Sequence, residues 1–532
     1  MVPAPARQVG WHNPLVEAPG STAHPPAPVA GLGAGLTMGI EPKVLMIGFD
    51  AAEHQLVDQW MREGELPHLR SLRERGVLGR LQSPTGMGDD AAWASFYTAV
   101  SPAKHGRYFY HSILPGSYRL PFWNDSHLRA EPFWDTLSRR GKRIALIDVP
   151  KSPLSASING LQLADWRVHG RDHLPCSHPP ELVHEVLARF GDDMTDRLGT
   201  EHALCGHGYR QHYDYPGFVG KLLQGIDDKL ALGLELLKRE PWDLFLVVFK
   251  EAHCAGHKLW HLHDAAHRSH PPQGSGSDAD AMQRVYKALD AALGELLMQA
   301  GPQTSVIVFS DLGMAGNFTA NHLLDRILQR LEWAQSNWIE RCQWVWNRFK
   351  QSLGTRLLGK DGTNFERRTR RYFDVIHGEQ AGAVRFNVIG RDPKGLIAPG
   401  APLQAQIEWL SAALMELEDP ASGRKLVSDI VRTDQAFAGD HHDRLPDLLV
   451  VWDRCAPIFA ARSPRTGTVS APDPELRTGG HVSDGWFVAA GPGISAGDAA
   501  TVSLMDLAPS VAMLLGESLG EVDGRPVPEI RP

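Results

Sequence analysis

The stretch Lys43-Val-Leu-Met-Ile-Gly-Phe-Asp50 decides the fold class of this chain. It is an apolar run that ends in a carboxylate, a pattern typical of a buried strand in a parallel sheet. Similar apolar runs occur at 143–148, 242–249, 305–311, 447–452 and 486–490. Helical patterns lie between them, for example at 281–299 and 403–417. This alternation predicts an α/β fold with a central, mostly parallel sheet flanked by helices.

The composition narrows the class of protein. The 532 residues are 42% hydrophobic and 22% charged, which is enough apolar material for a large core. A net charge of −8 argues against a nucleic-acid scaffold role. Five cysteines without paired spacing fit a reducing compartment. The apolar stretch at 28–40 is too short to span a membrane, and no basic segment precedes it. We therefore expect a cytoplasmic protein without a transmembrane segment.

Composition also predicts how the chain is divided. Residues 1–41 are rich in Pro, Ala and Gly without periodicity, which is typical of a disordered arm. Residues 43–530 are expected to form the α/β domain. An insertion at about 150–235 is rich in His, Pro and Gly and is predicted to be a cap or substrate lobe. A Trp- and Arg-rich insertion at about 320–380 is predicted to be an amphipathic helix on the body, or else a lid or membrane-surface contact.

The most informative local motif is Glu251-Ala-His253-Cys-Ala-Gly-His257, directly after a predicted strand. If this segment is helical, His253 and His257 lie one turn apart on one face, as two ligands of one metal require. In a chain with 25 histidines, a polar helix start with solvent-facing imidazoles is the structural alternative. His261 and His263 continue the run as alternative ligands or as partners of the ligands.

Other candidates follow strands or sit in glycine-rich loops. His481 lies in Gly479-Gly-His481-Val-Ser-Asp-Gly485, where permissive backbone allows close approach to a metal, although a structural loop histidine is the alternative. The pair Asp89-Asp90 follows a glycine-rich turn and can cap a helix or bind a hard cation. Asp50 and Asp311 end predicted strands. Ligands of open α/β sheets bind at the carboxyl ends of strands, so we expect these groups to lie together.

Taken in order, the motifs resemble the type I phosphodiesterase/nucleotide pyrophosphatase branch of the alkaline phosphatase superfamily. The resemblance covers about residues 43–530. The motifs that carry it are Val44-Leu-Met-Ile-Gly-Phe-Asp50, Glu65-Leu-Pro-His-Leu69, Arg75-Gly-Val77, Ala92-Trp-Ala-Ser-Phe96, Ser101-Pro-Ala-Lys-His-Gly106, Ser310-Asp-Leu-Gly-Met314, Arg385-Phe-Asn-Val-Ile-Gly-Arg391, Pro446-Asp-Leu-Leu-Val450, Gly480-His481, Gly491-Pro-Gly493 and Asp506-Leu-Ala-Pro509.

The resemblance implies an alkaline-phosphatase-like fold with cap insertions and two metals, usually zinc, at the carboxyl edge of the sheet. The first metal would be held by His253, His257 and His481, with His253 where the family has Asp. The second would be held by Asp50 and Asp311, with Leu312 where the family has His. Alignment of Ala92-Trp93 places Asp89 where the family has its Thr or Ser nucleophile.

These departures change the expected chemistry. Three neutral imidazoles make a tetrahedral Zn²⁺ site with one position open. With Asp89 as a further ligand and Asp90 close by, the second site consists of carboxylates. It suits Mg²⁺, Mn²⁺, Ca²⁺ or a second Zn²⁺, or it holds no metal. Thr85 and Ser95 flank the nucleophile position, but using either requires a shift that the surrounding match does not support. The substitutions are compatible with one another and indicate an altered site.

The sequence therefore predicts a metal-dependent hydrolase of phosphodiesters, phosphomonoesters or related small anionic esters. Attack by a water that the metal activates is favoured over attack by Asp89, which would give an acyl phosphate. Glu251 is a candidate general base or a partner of a metal-bound histidine. No role is assigned to Lys104, His105 or Arg391. A sulfatase is disfavoured because no Cys or Ser here precedes x-Pro-x-Arg. The alternative is a catalytically silent family member that acts as a metal-binding or scaffold protein.

Overall fold

The computed structural model describes residues 42–192, 214–271, 278–343, 345–346, 366–378, 380–471 and 477–531. The predicted disordered arm at 1–41 lies outside the described residues. So do 193–213 of the predicted cap and 347–365 of the Trp- and Arg-rich segment.

Two kinds of regular element alternate along much of the described chain. The strands are β1 (Val44–Phe49), β2 (Val77–Gln82), β3 (Ile144–Ile147), β4 (Gly160–Ala164), β5 (Cys176–His178), β6 (Leu244–Phe249), β7 (Ser305–Ser310), β8 (Gly313–Gly316), β9 (Tyr372–Val375), β10 (Ala381–Phe386), β11 (Val427–Arg432), β12 (Leu448–Trp452), β13 (Ala460–Ser463), β14 (Gly467–Ser470), β15 (Gly479–Val482), β16 (Asp484–Ala490), β17 (Gly497–Asp498) and β18 (Val502–Ser503). The helices are α1 (His54–Glu63), α2 (Pro67–Glu74), α3 (Asp89–Thr98), α4 (Pro102–His105), α5 (Phe133–Arg139), α6 (Pro180–Phe190), α7 (Tyr215–Arg239), α8 (Glu251–His263), α9 (Ala281–Ala300), α10 (Asn321–Gln335), α11 (Ala401–Met415), α12 (Thr433–Ala436) and α13 (Leu507–Leu514).

A central sheet runs in the order β17-β2-β16-β7-β1-β6-β3-β4-β5, and β18 pairs with β2. Strand β1 pairs in parallel with both β6 and β7, and β3 pairs in parallel with β6 and β4. The antiparallel members are β16, which lies between β2 and β7, and β5 at the edge. The predicted α/β fold with a mostly parallel central sheet is confirmed.

Burial on both faces explains why β1 is apolar throughout. Leu45, Ile47 and Phe49 face one hydrophobic cluster, to which α1, α2, α7, α8 and α9 contribute. Val44 and Met46 face the opposite cluster, to which α3, α5 and α13 contribute. Because successive strand residues point to opposite faces, a strand covered by helices on both sides needs apolar side chains at every position.

A second, antiparallel sheet has the order β11-β12-β10-β9. Its core includes side chains of α10 and α11, for example Leu324 and Leu410, packed against Val450 of β12. The apolar run at 447–452 therefore forms a strand as predicted, but in this second sheet and not in the central one. Whether a short apolar run joins one sheet or the other depends on long-range pairing, which the run itself does not specify.

Each of the two predicted insertions contributes to one sheet, the first to the central sheet and the second to the antiparallel sheet. Within 150–235, β4 and β5 extend the central sheet, while α6 and α7 pack on its core. Within 320–380, α10 and β9 belong with the second sheet, and Trp338 and Trp346 are 74% and 57% exposed. The division into a domain with a cap and a helical insertion stays a prediction. Among the described residues, each helix is too short or too polar to cross a membrane.

Candidate metal centre

Three neighbouring strands bring the candidate ligands to one edge of the central sheet. Phe49 of β1 pairs with Phe249 of β6, and Gly48 pairs with Phe309 of β7. The residues that follow these strands, Asp50, the start of α8 and Asp311, therefore meet at the carboxyl edge. His481 joins them on β15, because β15 pairs with β8, which begins two residues after Asp311.

The imidazoles of His253, His257 and His481 converge, and all three are buried. Nε2 of His253 lies 2.9 Å from Nε2 of His257 and 3.0 Å from Nε2 of His481. Two nitrogen ligands of one tetrahedral Zn²⁺, with bonds of about 2.05 Å, are about 3.3 Å apart. The spacing of His253 and His257 on α8 and the position of His481 on β15 thus bring together the three predicted histidines.

Hydrogen bonds at Nδ1 select the ring nitrogen that His253 and His257 offer to the centre. Nδ1 of His257 lies 2.9 Å from the Gly479 carbonyl oxygen, which can only accept, so this nitrogen carries the hydrogen. Nδ1 of His253 lies 2.8 Å from Oδ2 of Asp50 and donates to it when Asp50 is ionised. The two Nε2 lone pairs then face each other, and they repel unless a proton or a cation lies between them. This donor set fits a divalent metal ion.

Burial keeps the imidazoles of His257 and His481 neutral. Loss of solvent lowers the pKa of His257 and of His481 well below the usual range, and for His257 the charge of Arg477 adds to the effect. Metal ligation requires the neutral ring, so the environment favours the ligating form. Arg477 also donates from Nη1 to Nε2 of His257 over 2.8 Å, and it therefore competes for the same lone pair.

Asp89 is the first residue of α3 and faces the cations of the site. Burial alone would raise its pKa, but the charges of Lys151 and Arg477 hold the pKa of this carboxylate below its usual range. Burial and the charge of Asp89 raise the pKa of Asp50 to about 7. The two shifts have different causes: cations stabilise the ionised form of Asp89, whereas burial and then the charge of Asp89 disfavour the ionised form of Asp50.

The family model for type I phosphodiesterase/nucleotide pyrophosphatase matches residues 44–471. The chain belongs to this family. The family lies in the alkaline phosphatase superfamily, and its members hydrolyse phosphoester bonds. No curated protein is significantly similar in sequence to the chain.

Solved structures with a similar fold include phosphonoacetate hydrolase from Sinorhizobium meliloti 1021 in complex with phosphonoacetate. That match has 14% identity and a TM-score of 0.46, over 84% of this chain and 90% of that one. Another is an inactive form of murine ectonucleotide pyrophosphatase/phosphodiesterase 5 in complex with AMP, with 15% identity and a TM-score of 0.44, over 91% of this chain and 97% of that one.

The structure defines the surroundings of Leu312, which departs from the family pattern, and of the neighbouring Asp311. Leu312 is buried in the apolar cluster that contains Phe309 and Met314, so this position adds no polar ligand. Asp311 accepts from the Ala51 amide over 3.2 Å through Oδ1, while its buried Oδ2 has no hydrogen-bond partner among the described residues. Burial and the charge of Asp50 raise the pKa of Asp311 well above its usual range.

Several residues predicted for the site face elsewhere. Glu251 lies about 200° around α8 from His253 at about 100° per residue. A Cβ at Gly225 of α7 would lie 2.7 Å from Oε1 of Glu251, so the carboxylate faces α7. The predicted role of Glu251 as a general base does not match this placement. His261 contacts the Tyr215 hydroxyl over 3.0 Å, and His263 packs edge-on against Trp60.

The structure also shows the surroundings of Ser95 and Thr85, which flank the nucleophile position, and of Lys104 and Arg391. Ser95 lies 3.0 Å from Nε2 of His105, whose Nδ1 accepts from the Arg107 amide, so His105 donates to Ser95 and cannot take its proton. Thr85 is exposed. Lys104 pairs with Asp523 and Arg391 pairs with Asp447, which gives both a structural role.

The sequence analysis of this family member did not identify three further candidate residues, His169, Lys151 and Arg477. The ring of His169 lies on that of His253 with centroids 4.0 Å apart, and His169, His253 and His257 form a group able to hold a metal. Lys151 and Arg477 act electrostatically on Asp89. His169 follows β4 and Lys151 follows β3, so their positions after strands could have identified them as candidate site residues. Nothing in the sequence marked Arg477 as a candidate site residue, apart from its position two residues before Gly479.

Proposed function

We propose that the chain is a metal-dependent hydrolase of phosphoester bonds that acts on small anionic esters. Family membership supports the reaction class, and one observation carries the dependence on metal. This observation is the convergence of three buried Nε2 atoms, two of them on rings whose Nδ1 atoms contact Asp50 and the Gly479 carbonyl. A bound cation would satisfy the three nitrogens together.

His253, His257 and His481 would hold the metal, with Zn²⁺ the ion best suited to three imidazoles. When bound, such a cation polarises a phosphoryl oxygen and lowers the pKa of a water molecule to about 7. Asp50 orients His253 through its hydrogen bond. The guanidinium of Arg477, next to His257, is placed to pair with an anionic substrate oxygen.

Asp89 takes the position of the nucleophile but carries an ionised carboxylate, because nearby cations lower its pKa. We favour attack by water, with Asp89 accepting a hydrogen bond from it and so orienting it. Direct attack by Asp89 would form an acyl phosphate at this residue, which borohydride reduces to homoserine when the reaction is quenched during turnover. Attack by water leaves Asp89 unmodified, so mass analysis of the peptide that contains it separates the two routes.

Metal analysis followed by substrate hydrolysis tests this function. The purified protein is expected to hold zinc by elemental mass spectrometry and to hydrolyse at least one of a phosphodiester, a phosphomonoester and a phosphonate ester. His257→Ala should lose both zinc and activity. His263→Ala removes a histidine from the same helix outside the cluster and should retain both. Equal metal content in the two variants would contradict the assignment of the cluster.

A catalytically silent, metal-binding or scaffold protein is the second candidate. The observation that favours it is the 2.8 Å contact from Arg477 to the lone pair of His257, which occupies the position of a metal bond. Absence of bound metal after incubation with zinc and manganese, in wild type and in Arg477→Ala, would favour this candidate over the hydrolase.

A further inference from the structure

The stretch that follows α10 exposes four large apolar side chains, Trp338, Ile339, Val345 and Trp346. Each of them is about half exposed or more, and Trp338 and Trp346 are the most exposed of the tryptophans that the structure describes. Isolated exposed apolar residues are common in folded proteins, but a group of large ones indicates a surface that binds an apolar partner. We call these four residues the tryptophan face.

The tryptophan face belongs to a helical stretch with a well-defined start. Residues 338–343 and 345–346 are helical. Oδ1 of Asn337 accepts from the amides of Ile339 and Glu340, each over 3.0 Å, and the Asn337 amide donates to Oε2 of Glu340 over 2.9 Å. This reciprocal pair of contacts is a capping box. In a helical projection at about 100° per residue, the four residues of the tryptophan face fall within an arc of about 120°.

The polar side chains of this stretch hold it to the body of the protein. Glu340 forms an ion pair with Arg371, which directly precedes β9. Arg341 donates from Nε to the carbonyl oxygen of Trp333 on α10 over 3.2 Å, and its guanidinium lies 5.2 Å from the centre of the Trp333 ring. An amphipathic helix on a folded domain normally buries its apolar face and exposes its polar face. Here the arrangement is reversed, so the exposed tryptophan face requires an apolar partner.

The charge of the surrounding sequence indicates the kind of partner. Residues 333–371 contain nine Lys or Arg and three Asp or Glu, a net charge of +6, in a chain whose total charge is −8. Such a local excess of positive charge attracts an anionic surface. Tryptophan is enriched where lipid headgroups meet acyl chains, because its ring is apolar and its N–H group donates a hydrogen bond. Exposed tryptophans beside basic residues are typical of helices that lie in the plane of a membrane surface.

We propose that the tryptophan face docks on the surface of an anionic phospholipid membrane. Trp338 and Trp346 enter the headgroup region, and the positive charge of 333–371 attracts the lipid phosphates. The contact holds the protein at one leaflet without crossing the bilayer. It involves none of the residues of the metal centre, so it is independent of the proposed function.

Vesicle flotation of the full-length protein tests this proposal. Wild type is expected to float with vesicles of phosphatidylcholine and phosphatidylserine and to stay unbound with phosphatidylcholine alone. Binding should weaken several-fold as the salt concentration rises from about 0.1 M to about 0.5 M, because salt screens the attraction between the basic segment and the lipid.

Substitution of the two tryptophans tests the face itself. The double variant Trp338→Ser and Trp346→Ser should bind anionic vesicles at least about tenfold more weakly than wild type. The double variant Leu174→Ser and Met298→Ser is the matched control, because it removes two apolar side chains that are 74% and 71% exposed elsewhere. This control should bind as wild type does. Circular dichroism and melting temperature check that both variants are folded.

Three results would overturn the proposal. The first is a wild type that floats with neither kind of vesicle. The second is equal binding by wild type and the folded tryptophan variant, or by the single variant Trp338→Ser if the double variant does not fold. The third is self-association in sedimentation velocity that the tryptophan variant abolishes, without vesicle binding, which would assign the face to a second copy of the chain.

Discussion

In the proposed metal centre, the hydrogen bond between Asp50 and His253 would determine which imidazole nitrogen a bound metal contacts. We predict that Asp50→Asn weakens zinc binding about 10- to 100-fold, because an amide no longer fixes the ring with the same strength. Competition against a chromophoric chelator measures this affinity. Asp290→Asn is the matched control, because Asp290 is also buried but accepts from the amides of His68 and Leu69 away from the centre. Equal affinity in Asp50→Asn and wild type would contradict the orienting role.

Because His105 is buried, we predict that the protein loses stability in mild acid. Burial and then the charge of Arg107 lower the pKa of this histidine to about 3, against about 6.5 in the unfolded chain. Its contribution is complete above pH 6.5 and is lost as the pH falls towards 3, because the unfolded state then binds more protons. Between pH 7.0 and 5.5 the free energy of unfolding of wild type should fall by about 1 kcal/mol more than that of His105→Gln.

Urea unfolding at the two pH values measures this difference. His184→Gln, at an exposed position on α6, is the control and should behave as wild type. The same pH dependence in His105→Gln and wild type would show that His105 does not contribute.

At the residue scale, chemistry and spacing predicted His253, His257 and His481, because each motif placed an imidazole on a constrained backbone. They did not predict Lys151 or Arg477. A lysine or arginine in a loop has the same local pattern whether it faces solvent or a buried carboxylate, and only the tertiary structure distinguishes the two. Glu251 is the opposite case. It lies next to the two histidines in the sequence, but its position on α8 directs its side chain towards α7.

At the scale of elements, the metal centre depends on the contact between α8 and β15. A Cβ at Gly479 would lie 2.1 Å from the Gly256 carbonyl oxygen of α8. We predict that Gly479→Ala separates the two elements, weakens zinc binding by at least about tenfold and destabilises the fold by about 1–3 kcal/mol. Equilibrium unfolding and chelator competition measure both effects.

Gly220→Ala is the matched control for this substitution. Gly220 is exposed on α7 with no atom near its missing Cβ, so alanine there should leave zinc binding unchanged and stabilise the helix by up to about 1 kcal/mol. Full zinc affinity in Gly479→Ala would contradict the dependence of the site on this contact.

The central strands and the helix at 281–299 were predictable, because buried strands and long amphipathic helices carry strong periodic signals. The second sheet was not. Its strand β11 alternates only weakly, with Ser428 and Asp429 exposed, and its pairing with β12 spans a helix and a turn. Such pairing is specified by packing on α10 and α11 more than by the strand itself.

For the whole molecule, the metal is expected to stabilise the fold. A ligand that binds only the native state at 100 times its Kd adds about 2.7 kcal/mol. Zinc-loaded protein should therefore melt a few degrees above chelator-treated protein in differential scanning calorimetry. His257→Ala should show no such rise. Equal melting temperatures for loaded and stripped wild type would show that the cluster does not bind zinc in the native state.

The position of β16 has a consequence for biosynthesis. Strand β2 joins the rest of the central sheet through β16, which comes more than 400 residues later in the chain and lies between β2 and β7. A nascent chain thus leaves the edges of β2 and β7 open until residues 484–490 have emerged from the ribosome. Open strand edges promote association between chains, so synthesis of this protein should depend on chaperones that hold the polypeptide until this late strand arrives.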